Sequence, residues 1–231
     1  VHPDNAMAKR EHNKMGKNEM WYILSAESGA CIYAGFQEHL TQAEYQARVA
    51  DGSIIDALAK HEVKAGDVFY IPAGRVHAIG KGIRLLEVQQ ASDVTYRIYD
   101  YKRMDLNGQP RELHTKLAAQ ALDYQVYKEY KNEYKENINT ANLCLDTEFF
   151  TVRVVDLQET IRRNMVRYDS FVIQDEVTLR KGYSCLIPAA IADYDMIPLS
   201  GHAKVIESYI NNNSQSNFRK FISQFLHMSN E

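Results

Sequence analysis

One histidine in this chain is placed by a turn-forming pattern of glycine and proline. Gly66, five residues, Pro72, one residue, Gly74, two residues and His77 follow one another. Gly66 is expected to begin a buried strand, and Pro72 and Gly74 then reverse the chain so that the His77 ring points inward from the next strand. An isolated histidine is more often structural. One placed by such a turn is predicted to be a metal ligand.

Two further residues could complete a metal site with His77. A metal ion bound by His77 would need further ligands, and His2 and Glu19 are the candidates. Two histidines and a glutamate suit zinc with an open position, but also non-haem iron, so spacing does not choose the metal. Because residues two apart share a strand face, another ligand is expected just upstream of Val1, and the start at Val1 is interpreted as a cut.

The bulk composition restricts the class of protein. The chain has 231 residues, 45% of them hydrophobic, which is enough for one large or two small globular domains. Its formal net charge of -3 provides no broad basic field, so neither nucleic acid nor a membrane surface is expected as a partner. The 3 scattered cysteines, with no apolar span or signal sequence, predict a cytoplasmic protein with reduced thiols. Composition leaves the oligomeric state open.

The segments that position the candidate ligands are mainly strand-like. Between the first two predicted strands, Thr41 and Glu44 form a helix-capping signal, and the apolar spacing that follows predicts short helices broken at Asp51-Gly52. The strands predicted from alternating apolar residues in this half are 20–34, 68–71, 82–90 and 94–101.

Beyond this half, the sequence predicts a helical linker, a smaller β-unit and a polar tail. Leu117, Ala121 and Leu122 have helical spacing within 113–142, a stretch of tyrosines, lysines and glutamates. Further strands are predicted at 149–155, 165–173, 184–187 and 204–209. The resulting organisation is a catalytic unit at 1–103, a linker at 104–144, a second β-unit at 145–210 and a tail at 211–231.

An internal repeat relates the two β-units. Residues 65–73 recur in outline at 181–189, with glycine near the start of each copy. The position of His77 in the first copy is occupied by Asp193 in the second. The first unit is therefore predicted to bind a metal ion, and the second is predicted to be metal-free.

Several long motifs occur in one order along the chain. They are VHPDN at 1–5, KREHN at 9–13, GKNEMWY at 16–22, IPAGRVHAIG at 71–80, EVQQASDVTYRIYD at 87–100 and GQPRELH at 108–114. The pattern around His77 resembles the second motif of the cupin superfamily. Together the motifs resemble the type I mannose-6-phosphate isomerases of the bacterial short form, over residues 1 to about 209.

The resemblance implies a zinc ion, one per chain, held by a glutamine, two histidines and a glutamate. His2, Glu19 and His77 fall on the histidine and glutamate positions, and the glutamine position lies one residue before Val1. Longer relatives often carry a histidine before the lysine that Lys17 matches. Gly16 stands at that position here, so a proton-transfer role for such a histidine has no counterpart in this chain.

The resemblance also implies the reaction. Mannose 6-phosphate and fructose 6-phosphate are interconverted when a proton moves between C1 and C2 through a cis-enediol. Arg97 matches the catalytic arginine of the family and is expected to stabilise the enediolate, since a guanidinium keeps its charge and offers paired donors. Lys17 lies two residues before Glu19 and is expected to contact the substrate. Glu87 could act as the base or orient a hydroxyl group, although a structural carboxylate is a close alternative.

The prediction is thus a mainly β protein with two cupin-type β-sandwich or jelly-roll units, a short helical insertion and a helical linker. Its expected function is zinc-dependent aldose-ketose isomerisation. A catalytically impaired sugar-phosphate-binding fragment stays open as an alternative. So does a metal-dependent cupin dioxygenase, which would share His77 but would need neither Lys17 nor Arg97.

Overall fold

The computed structural model of the chain describes residues 1–100, 108–109, 111–164, 168–169, 178, 180–187 and 193–211. It divides into two compact units, Val1–Asn132 and Glu133–Glu231. The elements of the described residues are thirteen strands, three α-helices and one 3-10 turn, so the prediction of a mainly β chain is confirmed. Within the described residues, no helix is long and apolar enough to cross a membrane.

The first unit contains two antiparallel sheets that share one core. The four-stranded sheet has the order β6-β1-β4-β7 and the three-stranded sheet has the order β3-β2-β5. Trp21 and Phe69 from the first sheet pack with Ile32 and Ala34 from the second, as expected for a sandwich. The strands are β1 (Glu19–Ala26), β2 (Cys31–Phe36), β3 (Leu58–Glu62), β4 (Val68–Ile71), β5 (His77–Ile79), β6 (Ile83–Gln89) and β7 (Lys131–Asn132).

Helices cover a second core in this unit. Tyr45 and Ala118 are fully buried there with Phe36, which ends β2. The predicted helix break is confirmed: Thr41 and Glu44 form a capping box, and Gly52 ends the helix in the left-handed conformation (φ 87°). The helices are α1 (Asn5–His12), α2 (Gln42–Asp51) and α3 (Thr115–Ala121), and a 3-10 turn spans Ser53–Ala57.

Three predictions for this half differ from the structure. The strand predicted at 20–34 is interrupted by a turn at 27–30, which separates β1 from β2. The strand predicted at 94–101 is not formed over residues 94–100, where Tyr96 instead makes a backbone hydrogen bond to Val1. Within 113–142, helix is confined to α3. Tyr124 and Tyr130 follow it in non-helical backbone because both rings are drawn toward the apolar cores, and tertiary packing there overrides helical propensity.

The described residues of the second unit form two antiparallel sheets with the orders β11-β13-β9-β8 and β10-β12. The strands predicted at 149–155 and 204–209 correspond to β9 and β13, whereas residues 184–187 form no strand and the prediction there is wrong. Of 165–173 only 168–169 are described, and the predicted tail beyond 211 lies outside the described residues. The strands are β8 (Ala141–Asp146), β9 (Thr151–Leu157), β10 (Ile161–Asn164), β11 (Tyr168–Asp169), β12 (Asp193–Met196) and β13 (Ala203–Asn211).

Candidate metal centre

Three chain segments bring His2, Glu19 and His77 together as a ligand cluster. Glu19 begins β1, and its Cα pairs with that of Ile71 in β4. His77 begins β5 directly after the predicted turn. The backbone N–H of Gly74, within that turn, donates to the carbonyl oxygen of His2 at 2.8 Å. The turn that positions one histidine therefore also anchors the segment that carries the other.

The turn requires its glycine. Gly74 has φ +86°, and a Cβ at this position would lie 2.8 Å from the carbonyl oxygen of Ala121. Arg75 then continues the turn as a buried side chain: its guanidinium lies 5.0 Å and 5.1 Å from the ring centroids of Tyr127 and Tyr130. The turn before His77 is thus held by two features: the close contact of Gly74 with the backbone of Ala121, and the stacking of the Arg75 guanidinium on two tyrosine rings.

The ligand atoms converge as a metal site requires. Nε2 of His2 lies 3.3 Å from Oε2 of Glu19, and Nε2 of His77 lies 3.4 Å from Oε1. One ligand atom from each residue can be chosen so that all three lie within 4.8 Å of one another. Glu19 is 1% exposed and His2 is 4% exposed, so these two ligands are screened from water, whereas His77 is partly exposed. The three side chains predicted as ligands thus lie together, and their binding of a metal ion stays a prediction.

Outer hydrogen bonds set the tautomer of both histidines. Nδ1 of His2 lies 2.9 Å from the carbonyl oxygen of Val94, and Nδ1 of His77 lies 2.8 Å from that of Arg75. A carbonyl oxygen only accepts, so each Nδ1 carries a proton and each Nε2 faces Glu19. Metal-binding histidines are commonly oriented by an outer partner in this way.

The electrostatics of the cluster favour a bound cation. Burial lowers the pKa of His77 to about 3, so its ring is neutral near pH 7 and Nε2 presents a lone pair to the Glu19 carboxylate. Burial acts to raise the pKa of Glu19, but the neighbouring His2, His77 and Lys17 together lower it to about 2. Two acceptors that face each other at 3.4 Å repel unless a cation lies between them. The residues present therefore fit a metal ion.

Lys17 lies at the edge of the ligand cluster. Its Nζ is 2.9 Å from Oε2 of Glu19 and 3.5 Å from Oε1 of Glu87, and its side chain is 12% exposed. The expectation that Lys17 and Glu19 point to the same side is met by this contact. A lysine so enclosed can hold an anionic group of a ligand next to the metal position.

Glu87 reaches the same region from β6. Its Cα pairs with that of Trp21 across the β1–β6 ladder, and the indole Nε1–H of Trp21 donates to Oε2 of Glu87 at 3.0 Å. The other carboxylate oxygen, Oε1, is the one nearest Lys17. The side chain of Glu87 is 32% exposed, so one oxygen is held by the protein while the carboxylate stays accessible from outside.

Arg97 is placed near the cluster but does not contact it. Its neighbour Tyr96 donates a backbone N–H to the carbonyl oxygen of Val1 at 2.8 Å, beside the first histidine ligand. Nη1 of Arg97 donates to the carbonyl oxygen of Glu112 at 3.1 Å, and its Nε lies 3.8 Å from Oδ1 of Asp100. In the described part of the chain, no hydrogen bond or ion pair joins Arg97 to the ligand cluster.

Asn18 is a site residue that sequence reasoning missed. This side chain is 5% exposed, and its Oδ1 accepts from the hydroxyl of Tyr70 and from the backbone N–H of Ala73, both at 3.0 Å. Its Nδ2 donates to Oε1 of Gln90 at 2.7 Å. Asn18 thereby ties β1 and the end of β6 to the turn before His77. Its position next to Glu19 was the one available signal, and the partners are more than fifty residues away.

The second unit differs at the position that corresponds to His77. Asp193 begins β12, where its Oδ1 accepts from Nδ2 of Asn164 at 3.0 Å. Among the described residues, the ligand cluster is the one group of three or more potential metal-binding side chains. The expectation that the second unit binds no metal stays a prediction.

Known proteins resemble this chain in sequence and in fold. A mannose-6-phosphate isomerase of Streptococcus mutans is 35% identical, with 91% of this chain and 69% of that protein covered. Mannose-6-phosphate isomerase ManA of Bacillus subtilis is 32% identical over 91% of this chain and 70% of its own length. A crystal structure of the mannose 6-phosphate isomerase from Bacillus subtilis superposes with a TM-score of 0.75 at 29% identity, covering 91% and 70%. No family model matches the chain.

Proposed function

The chain belongs to the mannose-6-phosphate isomerase family, and from this membership we propose that it interconverts mannose 6-phosphate and fructose 6-phosphate. The observation that carries the proposal is the convergence of His2, Glu19 and His77 beside Lys17, with Glu87 next to that lysine. A metal position and a carboxylate in one place are what proton transfer between adjacent sugar carbons requires.

The metal is proposed to be zinc. Two imidazole nitrogens and one carboxylate form a donor set that suits zinc and leaves a position for substrate oxygen. When bound, zinc supplies a Lewis acid that polarises the oxygens of the sugar. The chain's own contribution is to fix both histidine tautomers through the carbonyl oxygens of Val94 and Arg75.

Glu87 is proposed to move the proton. In the forward direction, its Oε1 takes the proton from C2 of mannose 6-phosphate and returns it to C1, while a second proton passes from the C2 oxygen to the C1 oxygen. A single base on one face of the substrate gives a cis-enediol as the species between these steps. Lys17 is proposed to hold the anionic sugar close to Glu87, in keeping with its position between two carboxylates.

Arg97 is proposed to stabilise the negative charge that develops on the enediolate. A guanidinium stays charged at any pH used for assay and presents paired N–H donors in one plane. All the side chains with proposed roles lie in the unit Val1–Asn132. The second unit is proposed to be a metal-free cupin-type domain with a structural role.

Turnover of mannose 6-phosphate by zinc-loaded protein, followed by enzymatic detection of fructose 6-phosphate, tests the proposal. Arg97→Lys should lower kcat by about 100-fold and change KM less, because the charge remains but the forked donors are lost. Lys17→Ala should chiefly raise KM with zinc content unchanged. Arg84→Lys, an exposed arginine in β6, is the matched control and should behave like the wild-type protein. Absence of turnover by the wild-type protein would reject the function, and near-normal kcat in Arg97→Lys would remove Arg97 from it.

A further inference from the structure

Trp21 lies between Glu87, the proposed base, and His77, a proposed metal ligand. It is 1% exposed and lies in β1, with strands paired on both sides. Its indole N–H donates to Oε2 of Glu87 at 3.0 Å. The edge of the same ring packs against the imidazole of His77, with ring centroids 5.4 Å apart and planes at 85°. One rigid side chain therefore contacts both the carboxylate and a metal ligand.

The chemistry of the indole group makes this contact directional. An indole N–H can only donate a hydrogen bond, so it needs an acceptor, and its bond to Oε2 of Glu87 holds that oxygen in one place. Oε1 is then left toward Nζ of Lys17, at 3.5 Å. Lysine has a flexible side chain, whereas the indole ring is buried in the apolar core of the first unit. The orientation of the carboxylate is therefore set chiefly by Trp21.

We infer that Trp21 is a positioning residue that fixes Glu87 with Oε1 turned toward the substrate, and that it links this carboxylate mechanically to the His77 side of the metal site. The inference rests on the proposed function insofar as Glu87 is the base. The contact between Trp21 and Glu87 can be tested without any activity, so the two ideas can fail separately.

The chain offers a direct probe because it contains 1 tryptophan. A 15N-labelled sample should show one indole N–H resonance, shifted downfield by its bond to a carboxylate. Glu87→Gln should move this resonance upfield, since a bond to a neutral amide is weaker than one to an ionised group. Glu62→Gln, an exposed carboxylate of β3, is the control and should leave it in place. An unchanged resonance in Glu87→Gln would overturn the inference.

Kinetics then test whether the contact positions the base. Trp21→Phe should lower kcat by about 10- to 100-fold with a smaller change in KM and with zinc still bound, because a slightly misplaced base reacts poorly. In a Glu87→Gln background, Trp21→Phe should lower kcat little further, because the two residues act through one group. Phe69→Leu removes aromatic packing beside Trp21 and should lower thermal stability while kcat stays close to wild type.

The results of these experiments distinguish a positioning role of Trp21 from a packing effect and from failure of the proposed function. Multiplicative effects of Trp21→Phe and Glu87→Gln on kcat would show that Trp21 does not act through Glu87 and would overturn the inference. A loss of kcat in Phe69→Leu as large as that in Trp21→Phe would do the same, because packing alone would then explain it. If the wild-type protein shows no turnover, the proposed function fails, and the indole resonance alone decides whether Trp21 holds Glu87.

Discussion

The two units each bury a glutamate, and they neutralise it in different ways. Glu207 of the second unit is 8% exposed and accepts from Nε of Arg163 at 2.9 Å and from its Nη2 at 2.7 Å. The hydroxyl of Tyr194 donates to the same carboxylate at 3.1 Å. Glu19 of the first unit instead faces two histidine Nε2 atoms and one lysine. Glu207 is thus paired with a cation of its own unit, Arg163, whereas Glu19 lies in a cluster that suits an added metal ion.

This difference shows what separates a structural carboxylate from a metal ligand. A forked guanidinium occupies both oxygens of Glu207 in a fixed plane and leaves little capacity for a metal ion. Around Glu19, Nε2 of the neutral His77 ring presents a lone pair to the carboxylate at 3.4 Å, which is a costly arrangement unless a cation lies between them. The orientation of the neighbouring groups, more than burial, distinguishes the two sites.

The internal repeat allows a direct comparison of the two units, because the two copies begin with the same backbone conformation. Gly66 and Gly182 occupy equivalent positions and have φ values of 93° and 90°. After Gly66 the chain enters β4, which pairs with β1 and β7. After Gly182 residues 183–187 form no strand, and Tyr183 and Leu186 are 72% and 68% exposed. A similar turn therefore leads to the buried strand β4 in one unit and to exposed chain in the other.

The largest expected effect is on the second unit. Glu207→Ala should lower its free energy of unfolding by about 3–5 kcal/mol, because Arg163 would be left as a partly buried charge without its partner. Replacing both residues, as Arg163→Met with Glu207→Leu, should recover most of that loss. Urea denaturation measures both. A loss for Glu207→Ala no larger than that of an exposed pair, about 1 kcal/mol or less, would contradict the description of Glu207 as a buried carboxylate stabilised by Arg163.

The next effect concerns zinc. His77→Ala should weaken zinc binding by at least about 100-fold, since loss of an outer partner alone typically costs about 10- to 100-fold. Chelator competition and metal analysis measure the change. Asp193→Ala at the equivalent position of the second unit is the control, and its zinc content should equal that of the wild-type protein. Zinc loss in Asp193→Ala, or its retention in His77→Ala, would contradict the assignment of the metal to the first unit.

A smaller effect is expected at two matched asparagines. Asn18 and Asn142 are each 5% exposed, and the amide of Asn142 bonds within the second unit to the backbone at Asn137 and Thr140. Substitution of either by alanine should cost about 1–3 kcal/mol in stability, because buried partners lose their hydrogen bonds. Only Asn18→Ala should also weaken zinc binding, by about 10-fold, because Asn18 ties Glu19 to the turn before His77. Equal zinc affinity in the two variants would exclude this role.

The smallest effect tests the repeat itself. Gly66→Ala and Gly182→Ala should each lower the free energy of unfolding by about 1–2 kcal/mol, because both glycines adopt the left-handed conformation that disfavours a Cβ. Thermal denaturation of the two variants measures the costs. A negligible cost at Gly182, where a Cβ would have nothing within 4 Å, would mean that this turn readily changes conformation and that the two copies differ already at the glycine.

Local chain geometry explains the features that the sequence predicted correctly. The spacing of Gly66, Pro72, Gly74 and His77 specifies a strand, a reversal and a second strand through backbone preferences that act over a few residues. The capping pair at Thr41 works over the same short range. Such features need no knowledge of distant partners, which is why the ligand strand and the helix break could be predicted from residue order.

Long-range packing explains the features that the sequence left undetermined. The hydrogen bond from Trp21 to Glu87 spans 66 residues, and that from Ala73 to Asn18 spans 55. Tyr124 and Tyr130 lie outside helix although the sequence around them has helical spacing. Packing their rings against the apolar cores stabilises the chain more than continuing the helix would. Side-chain orientation and charge compensation depend on which strands become neighbours. Sequence periodicity predicts which residues face inward, whereas only the folded chain shows which group each of them contacts.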